Sequence, residues 1–247
     1  MNKKLVFMIG LLVAIMLVGG QALAQVVVWG EGAWTDTDVQ INIYANIPET
    51  EALRSFGVRL IYDPTELTFV QQIDDEHKTQ KNEAIWYFGD GTNNEAYMDP
   101  TDVEVDSSHR AVIIIGGILD VNDTAKKVSG DRVLLATIWF TRPSGASGPL
   151  SSPLTLELGK PDPYKNFVVD TSNVLDGSDV TFSNPTEGKP VVEVYERGDA
   201  NGDLVITNSD MFKVKQYIGE DKYVVYGDCN KDNVITNSDM FCIKGKI

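Results

Sequence analysis

An all-β sandwich followed by a small unit of two loop–helix repeats is the fold this sequence predicts, and two observations predict it. Between about Val26 and Asn184 the apolar residues come in short runs broken by Gly, Pro, Asn and Asp. No long stretch of 3.6-residue period separates those runs, so helices are not expected there. Near the C-terminus, two twelve-residue acidic segments begin 29 residues apart and share the tail VITNSDMF, which marks an internal duplication.

The first element is not part of that fold. MNKK precedes the apolar run LVFMIGLLVAIMLV and then GGQALA before Gln25. A basic start, an apolar stretch and an Ala22-Leu23-Ala24 site have the anatomy of a secretory signal over 1–24. The expectation is a secreted protein. A membrane is involved only if this segment is not cleaved, since Leu5–Ala24 is long enough to span one. The formal charge is −15, and loss of Lys3 and Lys4 with the signal takes it to −17. Such acidity excludes nucleic acid as a partner, because phosphates would repel it.

Next come the strands of 26–184, a length that suits one domain with a full core. The runs VVVWG, DVQINIYA, FGVRLIY, LTFVQQI, AIWYFG, RAVIIIGGI, RVLLATIWF, LTLEL and DVTF give about nine strands. They read as a two-layer sandwich. Within Asp38–Ala45, Val39, Ile41 and Ile43 alternate with Asp38, Gln40 and Asn42, as in a strand with one solvated face. Arg110–Gly117 and Arg132–Phe140 are instead apolar on both faces, so one sheet has an outer face that needs cover, from a partner or from loops. The segment 185–197 reads as a linker or an edge strand, with Val191–Tyr195 as its extended part.

The repeats occupy 198–247. Loop one is DANGDLVITNSD (Asp199–Asp210) and loop two is DCNKDNVITNSD (Asp228–Asp239). A loop that surrounds Ca²⁺ with oxygen supplies side chains from positions 1, 3, 5 and 12 and a carbonyl from position 7. Those positions are Asp199, Asn201, Asp203, Asp210 and Val205 in loop one, and Asp228, Asn230, Asp232, Asp239 and Val234 in loop two. Thr207 and Thr236 at position 9 act directly or through water. Two calcium ions are therefore expected. Acidic surface turns are the alternative, but duplication of ligand spacing and tail favours metal. Position 6 favours glycine; Asn233 tolerates positive φ, whereas Leu204 is strained by about 1–2 kcal/mol if the left-handed turn is kept. After each loop the apolar spacing predicts a helix with Met211, Val214 and Ile218, then Met240, Ile243 and Ile247, on its core face. Cys229 and Cys242 replace Ala200 and Lys213 of the first repeat. A disulfide between them and two free thiols are both compatible with the sequence.

This duplicated loop–helix unit, lacking an entering helix, resembles a dockerin module over about Gly198–Ile247. The resemblance implies a partner-binding surface at loop positions 10 and 11 and on the following helix. Carried over, it comprises Asn208, Ser209, Lys215 and Gln216 in one repeat and Asn237, Ser238, Lys244 and Gly245 in the other. The preceding region resembles a cohesin module of jelly-roll type. Its clearest stretch is ALRSFGVRLIYDPTELTFV (Ala52–Val70). VVVWGEGAWTDTDVQINIYANIP, HRAVIIIGG, DRVLLATIWFTRP, SPLTLELG and LDGSDVTFSN stand around it in the family's order. That resemblance implies dockerin binding on one sheet face. With Phe56, Val58 and Leu60 turned to the core, Ser55, Gly57, Arg59 and Ile61 are the candidate contact residues.

Catalysis is not expected. His77 and His109 are the only histidines, neither beside a recognisable nucleophile, and Asp74-Asp75-Glu76 reads as a solvated acidic turn. Trp29, Trp34, Trp86 and Trp139 leave open a calcium-dependent sugar-binding sandwich, if their rings are exposed. The reading that joins these features is a secreted adaptor. It binds a dockerin-bearing protein through its sandwich and docks onto a cohesin-bearing protein through its repeats. A self-polymerising scaffold, or a carbohydrate-binding protein acting in polysaccharide breakdown, is the alternative.

Overall fold

The computed structural model describes residues 25–75, 77–82, 84–86, 100–117, 127–159, 167–168, 174–175, 179–186 and 188–247. Residues 1–24, expected from the sequence to be a secretory signal, lie outside the described residues. Thirteen strands appear among those described. β1 (Val26–Trp34), β2 (Asp38–Ile47), β4 (Thr68–Val70), β5 (Gln80–Lys81), β8 (Gly130–Thr141), β12 (Val180–Phe182) and β13 (Val192–Glu196) build one sheet. β3 (Ser55–Tyr62), β6 (Thr101–Glu104), β7 (Arg110–Gly117), β9 (Thr155–Leu158), β10 (Phe167–Val168) and β11 (Val174–Leu175) build the other. α1 (Asn208–Glu220) and α2 (Asn237–Lys246) follow.

The core lies between the sheets. Val39, Ile41 and Ile43 of β2 meet Phe56, Val58 and Leu60 of β3, with Val112 and Ile138 in the same cluster, and all of them are fully buried. Phe56 is the hub of an aromatic group, edge-on to Trp86 at 5.0 Å and 6.4 Å from Phe167. The part of AIWYFG that is described, Ala84 to Trp86, is a turn rather than a strand, and its burial comes from Trp86 dropping into this core. The rest of that run lies outside the described residues. β5, β6, β10 and β11 are short or polar enough that their alternation is too brief to read in the sequence.

β1 explains how the chain continues past the sandwich. One edge pairs with β2 from Val27 to Trp34. The other edge is shared end to end by two parallel strands, β12 beside Val26–Val28 and β13 beside Gly30–Trp34. The segment 185–197 is thus not a free linker: its extended part is an edge strand that carries the repeats onto the sheet. Gly198 follows directly, and its N–H reaches the carbonyl of Tyr226 at 2.7 Å.

The expectation of a solvated face on β2 is overturned. Asp38, Gln40 and Asn42 are only 2–6 % exposed, although their neighbours Val39, Ile41 and Ile43 fill the core as expected. The C-terminal unit lies over that outer face. Ala33 joins a second apolar cluster with Tyr195, Val214, Tyr217, Val224, Val225, Tyr226 and Ile243. Buried polar groups on the covered face bond to one another. Gln40 donates to Asn42, Asn42 to the Tyr44 hydroxyl and Thr137 to Asn42. Trp29 donates to Glu31, which pairs with Arg132, and that guanidinium lies 4.0 Å over the Tyr44 ring. The double-sided apolarity of β8 has two sources. A register shift opposite Ile43/Tyr44 lets Leu135 and Ala136 both be buried, and Trp139 faces the C-terminal unit at 2 % exposure.

Two predictions test this packing. A Cβ on Gly116 would stand 2.2 Å from the Phe56 ring. Gly116→Ala should therefore cost about 1–3 kcal/mol, read from chemical denaturation. The second concerns Asp38, which pairs with Lys231 of loop two at 2.6 Å. Burial pushes this carboxyl up, but the hydrogen bond and charge of Lys231 outweigh it and hold it below its ordinary value. Its contribution to stability is complete above about pH 4, the unfolded value, and fades as pH falls through the lower folded value. Thermal stability of Asp38→Asn should lie below the parent at neutral pH and converge with it in strong acid.

Candidate functional site

Each repeat folds around the two carboxylates at its ends. In loop one, Asp199 accepts the N–H groups of Gly202, Asp203 and Leu204 at 2.8–3.1 Å. Asp210 accepts those of Asn201 and Thr207. In loop two, Asp228 accepts Asp232 N–H, Asn233 N–H and the Tyr223 hydroxyl. Asp239 accepts the N–H groups of Cys229, Asn230 and Thr236. All four carboxylates are completely buried. Burial raises the Asp199, Asp228 and Asp239 carboxyls above their ordinary value, against backbone donors at Asp199 and Asp239 and chiefly against the Arg197 charge at Asp228.

The remaining expected ligands sit around these anchors. Asp203 and Asp232 are exposed, and each accepts from the amide of Asn201 or Asn230 two residues before it. Val205 and Val234 are exposed at the loop rims, 57 % and 54 %. Thr207 and Thr236 have a further use, as helix N-caps: each hydroxyl accepts the N–H of Ser209 or Ser238, and Asp210 or Asp239 returns the bond to the Thr N–H. Among the described residues, no three His, Cys, Asp or Glu side chains converge closely enough to hold a metal as they stand. The chemistry of the set nonetheless fits a hard cation. Buried anions need a counter-charge or a metal, and every candidate donor is oxygen.

Positive φ falls at two positions per loop. Gly202 and Lys231 at position 4 have φ of 70° and 66°, and Leu204 and Asn233 at position 6 have 71° and 62°. Leu204 thus keeps the left-handed turn despite its side chain, which is 72 % exposed. Position 4 was not singled out in the sequence. There, a Cβ on Gly202 would meet the Tyr195 ring at 2.9 Å.

Cys229 and Cys242 are joined in a disulfide, with Cα atoms 5.8 Å apart, tying loop two to α2. The helix cores differ from expectation at one position each. Val214, Tyr217 and Ile243 are buried, whereas Ile218 is 37 % and Ile247 59 % exposed. Tyr217 takes the inner place, donating its hydroxyl to the Ala200 carbonyl at 2.9 Å. α2 ends at Lys246, which donates to the Arg197 carbonyl, so Ile247 lies past the helix and clear of the core.

Of the candidate partner residues on the repeats, Asn208, Ser209, Lys215, Gln216, Asn237, Ser238 and Lys244 are all exposed. Ser209 and Ser238 each accept the amide of Asn201 or Asn230 at 3.0 Å, so loop and helix face are linked. A groove of about 500 Å³ runs between the helices, lined by Asn208, Met211, Asn237, Met240, Phe241 and Lys244. Phe212 and Phe241, equivalent in the two repeats, are each 74 % exposed and were not expected as surface residues. Their repetition after the shared NSDM was the available signal. On the sandwich, Ser55 and Gly57 are buried, because β3 is central between β7 on one edge and β9 and β10 on the other. Arg59, paired with Glu157, and Ile61 reach further out.

Three residues at the joint were missed. Arg197, 1 % exposed, donates to the carbonyls of Val225 and Asp228 and to Gln40. Lys231 pairs with Asp38. His77 bonds Asp74 through Nδ1 and the Lys231 carbonyl through Nε2, with its ring edge-on to Trp139. A basic residue just ahead of an acidic loop was the sequence signal for Arg197. The other two depend on pairings distant in sequence. The four indoles are 0–9 % exposed, so none offers a ring face to a sugar.

No protein-family model matches this chain, and no curated protein does. Among solved structures, it is similar to the third cohesin of ScaC from Acetivibrio cellulolyticus, solved with the ScaB dockerin. The identity is 16 %, over 63 % of this chain and 92 % of that one, with a TM-score of 0.41. The second type II cohesin of the adaptor scaffoldin ScaA from the same organism is 13 % identical, over 64 % and 93 %, at 0.36. The seventh ScaB type I cohesin of Pseudobacteroides cellulosolvens is 13 % identical, over 49 % and 66 %, at 0.29.

Leu204 generates a prediction of its own. Leu204→Gly should stabilise loop one by up to about 1 kcal/mol, since glycine occupies this φ without steric penalty but loses more chain entropy. Chemical denaturation checks this, and the same change at exposed Val205, whose φ is not left-handed, should lower stability instead.

Proposed function

We propose that this protein is a secreted, non-catalytic adaptor whose C-terminal repeats bind two calcium ions and dock onto a cohesin-bearing protein, while its sandwich receives a dockerin-bearing one. The observation that carries the reading is the complete burial of Asp199, Asp210, Asp228 and Asp239 at equivalent places in two loops. One guanidinium, that of Arg197, stands 3.8 Å from one of the four. Anions held out of water in this way call for cations. Asp199, Asn201, Asp203, Val205, Thr207 and Asp210 would hold the first ion. Asp228, Asn230, Asp232, Val234, Thr236 and Asp239 would hold the second. The ion supplies charge neutralisation at the foot of each helix, and the chain's own capping boxes and Asn–Ser bonds then fix the helix faces.

The packing also supports a division of labour between two faces. The outer side of the β1–β2–β8 sheet is taken by the chain's own C-terminal unit, so a partner of the sandwich is left with the sheet containing Arg59 and Ile61. The matched residues Asn208, Ser209 and Phe212, and Asn237, Ser238 and Phe241, give the repeats two nearly equivalent surfaces. With β13 fixed along β1, the repeats do not swing round to the Arg59 side of their own sandwich. Recognition between this sandwich and these repeats, if it occurs, joins separate copies into polymers.

The test is binding of the full chain to immobilised cohesin and dockerin modules, in calcium and in chelator. Calcium-dependent capture by cohesins, and capture of dockerins by the sandwich, are expected; a monodisperse chain in calcium excludes the polymerising scaffold. Ser209→Asp alone should leave most cohesin binding, because the other repeat takes over. Ser209→Asp with Ser238→Asp should abolish it by placing a desolvated charge in either interface. Equal losses in the single and double variants would show that one face alone is used.

A further inference from the structure

Resting on that calcium reading, we propose that Arg197 is a resident counter-ion for loop two, so that loop two stays folded against the sandwich without calcium while loop one opens.

The repeats are identical at every ligand position, and within the loops they differ only at positions 2, 4 and 6. Two residues ahead of the first ligand, repeat one has Arg197 and repeat two has Tyr226. The Arg197 side chain does not serve its own loop. It reaches into the second, donating Nη1 to the carbonyl of Asp228 at 2.7 Å and of Val225 at 3.2 Å. Nη2 donates to the Gln40 side chain at 2.7 Å, and the guanidinium stands 6.0 Å from the Trp139 ring centre. A guanidinium does not give up its proton, so burying it requires an anion. The Asp228 carboxylate, itself fully buried, lies 3.8 Å away. Each charge compensates the other, and Arg197 does so while gripping both the loop backbone and the sandwich.

Three other features act in the same direction, all at non-ligand positions of repeat two. Lys231 stands where loop one has Gly202, and it ties the loop to Asp38. Its carbonyl is held by His77 at 3.1 Å. The Cys229–Cys242 disulfide occupies the places of Ala200 and Lys213. Loop one has none of these. Among the described residues no Lys, Arg or His forms an ion pair with Asp199 or Asp210, though both are fully buried. Without a cation, repulsion between those two carboxylates is opposed by neutral hydrogen bonds and apolar packing, with no counter-charge. Calcium would therefore fold loop one and merely fill loop two.

Amide hydrogen exchange on the full chain, in calcium and in chelator, tests this. The Gly202, Asp203 and Leu204 amides report Asp199; the Asp232 and Asn233 amides report Asp228. Chelator should accelerate exchange at the first set at least about tenfold more than at the second. Equal acceleration overturns the asymmetry while leaving the calcium reading in place. No change at either loop overturns both. A matched pair of isosteric variants within loop two isolates the counter-ion. Asp239→Asn and Asp228→Asn each give up an acceptor for backbone N–H groups, but only Asp228→Asn leaves Arg197 buried without the anion it is paired with. In chelator, Asp228→Asn should lose more protection than Asp239→Asn at the Gly227 and Val234 amides, which bond to neither carboxylate. Equal or smaller loss at Asp228→Asn overturns the role of Arg197.

Discussion

The parallel pairing of β13 with β1 is the constraint on which the remaining geometry depends. It fixes the direction in which the chain leaves the sandwich and brings Gly198 within one hydrogen bond of Tyr226. From there the repeats have one place to go, over the outer face of the same sheet. That face is polar, and its Gln40–Asn42–Tyr44 and Trp29–Glu31–Arg132 chains of hydrogen bonds are buried yet satisfied. A half-satisfied network under a cover would be worse than an apolar surface. The sandwich face and the C-terminal unit are therefore one cooperative structure rather than two modules on a string.

How much of this was legible in the sequence depends on the range of the interaction. The inner face of β2 was readable because Val39, Ile41 and Ile43 announce themselves by alternation. So were the loop repeats and the helices after them, since their acidic and turn residues lie within twelve positions of one another and the apolar spacing follows at once; the Thr207 and Thr236 caps were not read. The outer face of β2 was misread for a physical reason: Asp38, Gln40 and Asn42 are the residues expected on a wet surface. Their actual neighbours are Lys231, Arg197 and Thr137, as many as 193 positions away. Composition reports what a face could tolerate; only the tertiary arrangement determines whether water is there. The choice of Tyr217 over Ile218 has the same origin, because the phenol both fills the core and satisfies the Ala200 carbonyl, a bond no periodicity encodes.

Burial also sorts the chemistry of the site. Asp199, Asp210, Asp228 and Asp239 are shielded and fully hydrogen-bonded, while Asp203 and Asp232 remain in water. The buried pair in each loop sets the backbone path and the exposed member closes it. In the proposed function this division of labour matters, because a cation entering from solvent meets the exposed carboxylate first and the pair at the loop ends second. The caps make the helix face answer to the same event. Thr207 and Thr236 stand between ligand and helix, and Ser209 and Ser238 share hydrogen bonds with Asn201 and Asn230. Loosening a loop would therefore disturb the surface offered to a partner without any change in the residues that touch it.

The asymmetry between the repeats follows from the same packing. Duplication alone would give two equal loops and two equal helix faces, but loop one meets the sandwich through Gly202 against Tyr195, whereas loop two is tied to it by charged and imidazole side chains. That loop has acquired a lysine, two cysteines and the reach of Arg197, each at a position where ligand chemistry leaves freedom of choice. The longest run that remains identical, VITNSDMF, carries the helix cap, the exposed Asn-Ser pair and Phe, and the Ile and Met that pack on the second apolar cluster. Contact with the sandwich thus explains the differences between repeats, and the shared tail reflects what both must still do. In the proposed function, one anchored repeat and one responsive repeat would hold both exposed helix faces in register with the sandwich while one loop still answered to the ion.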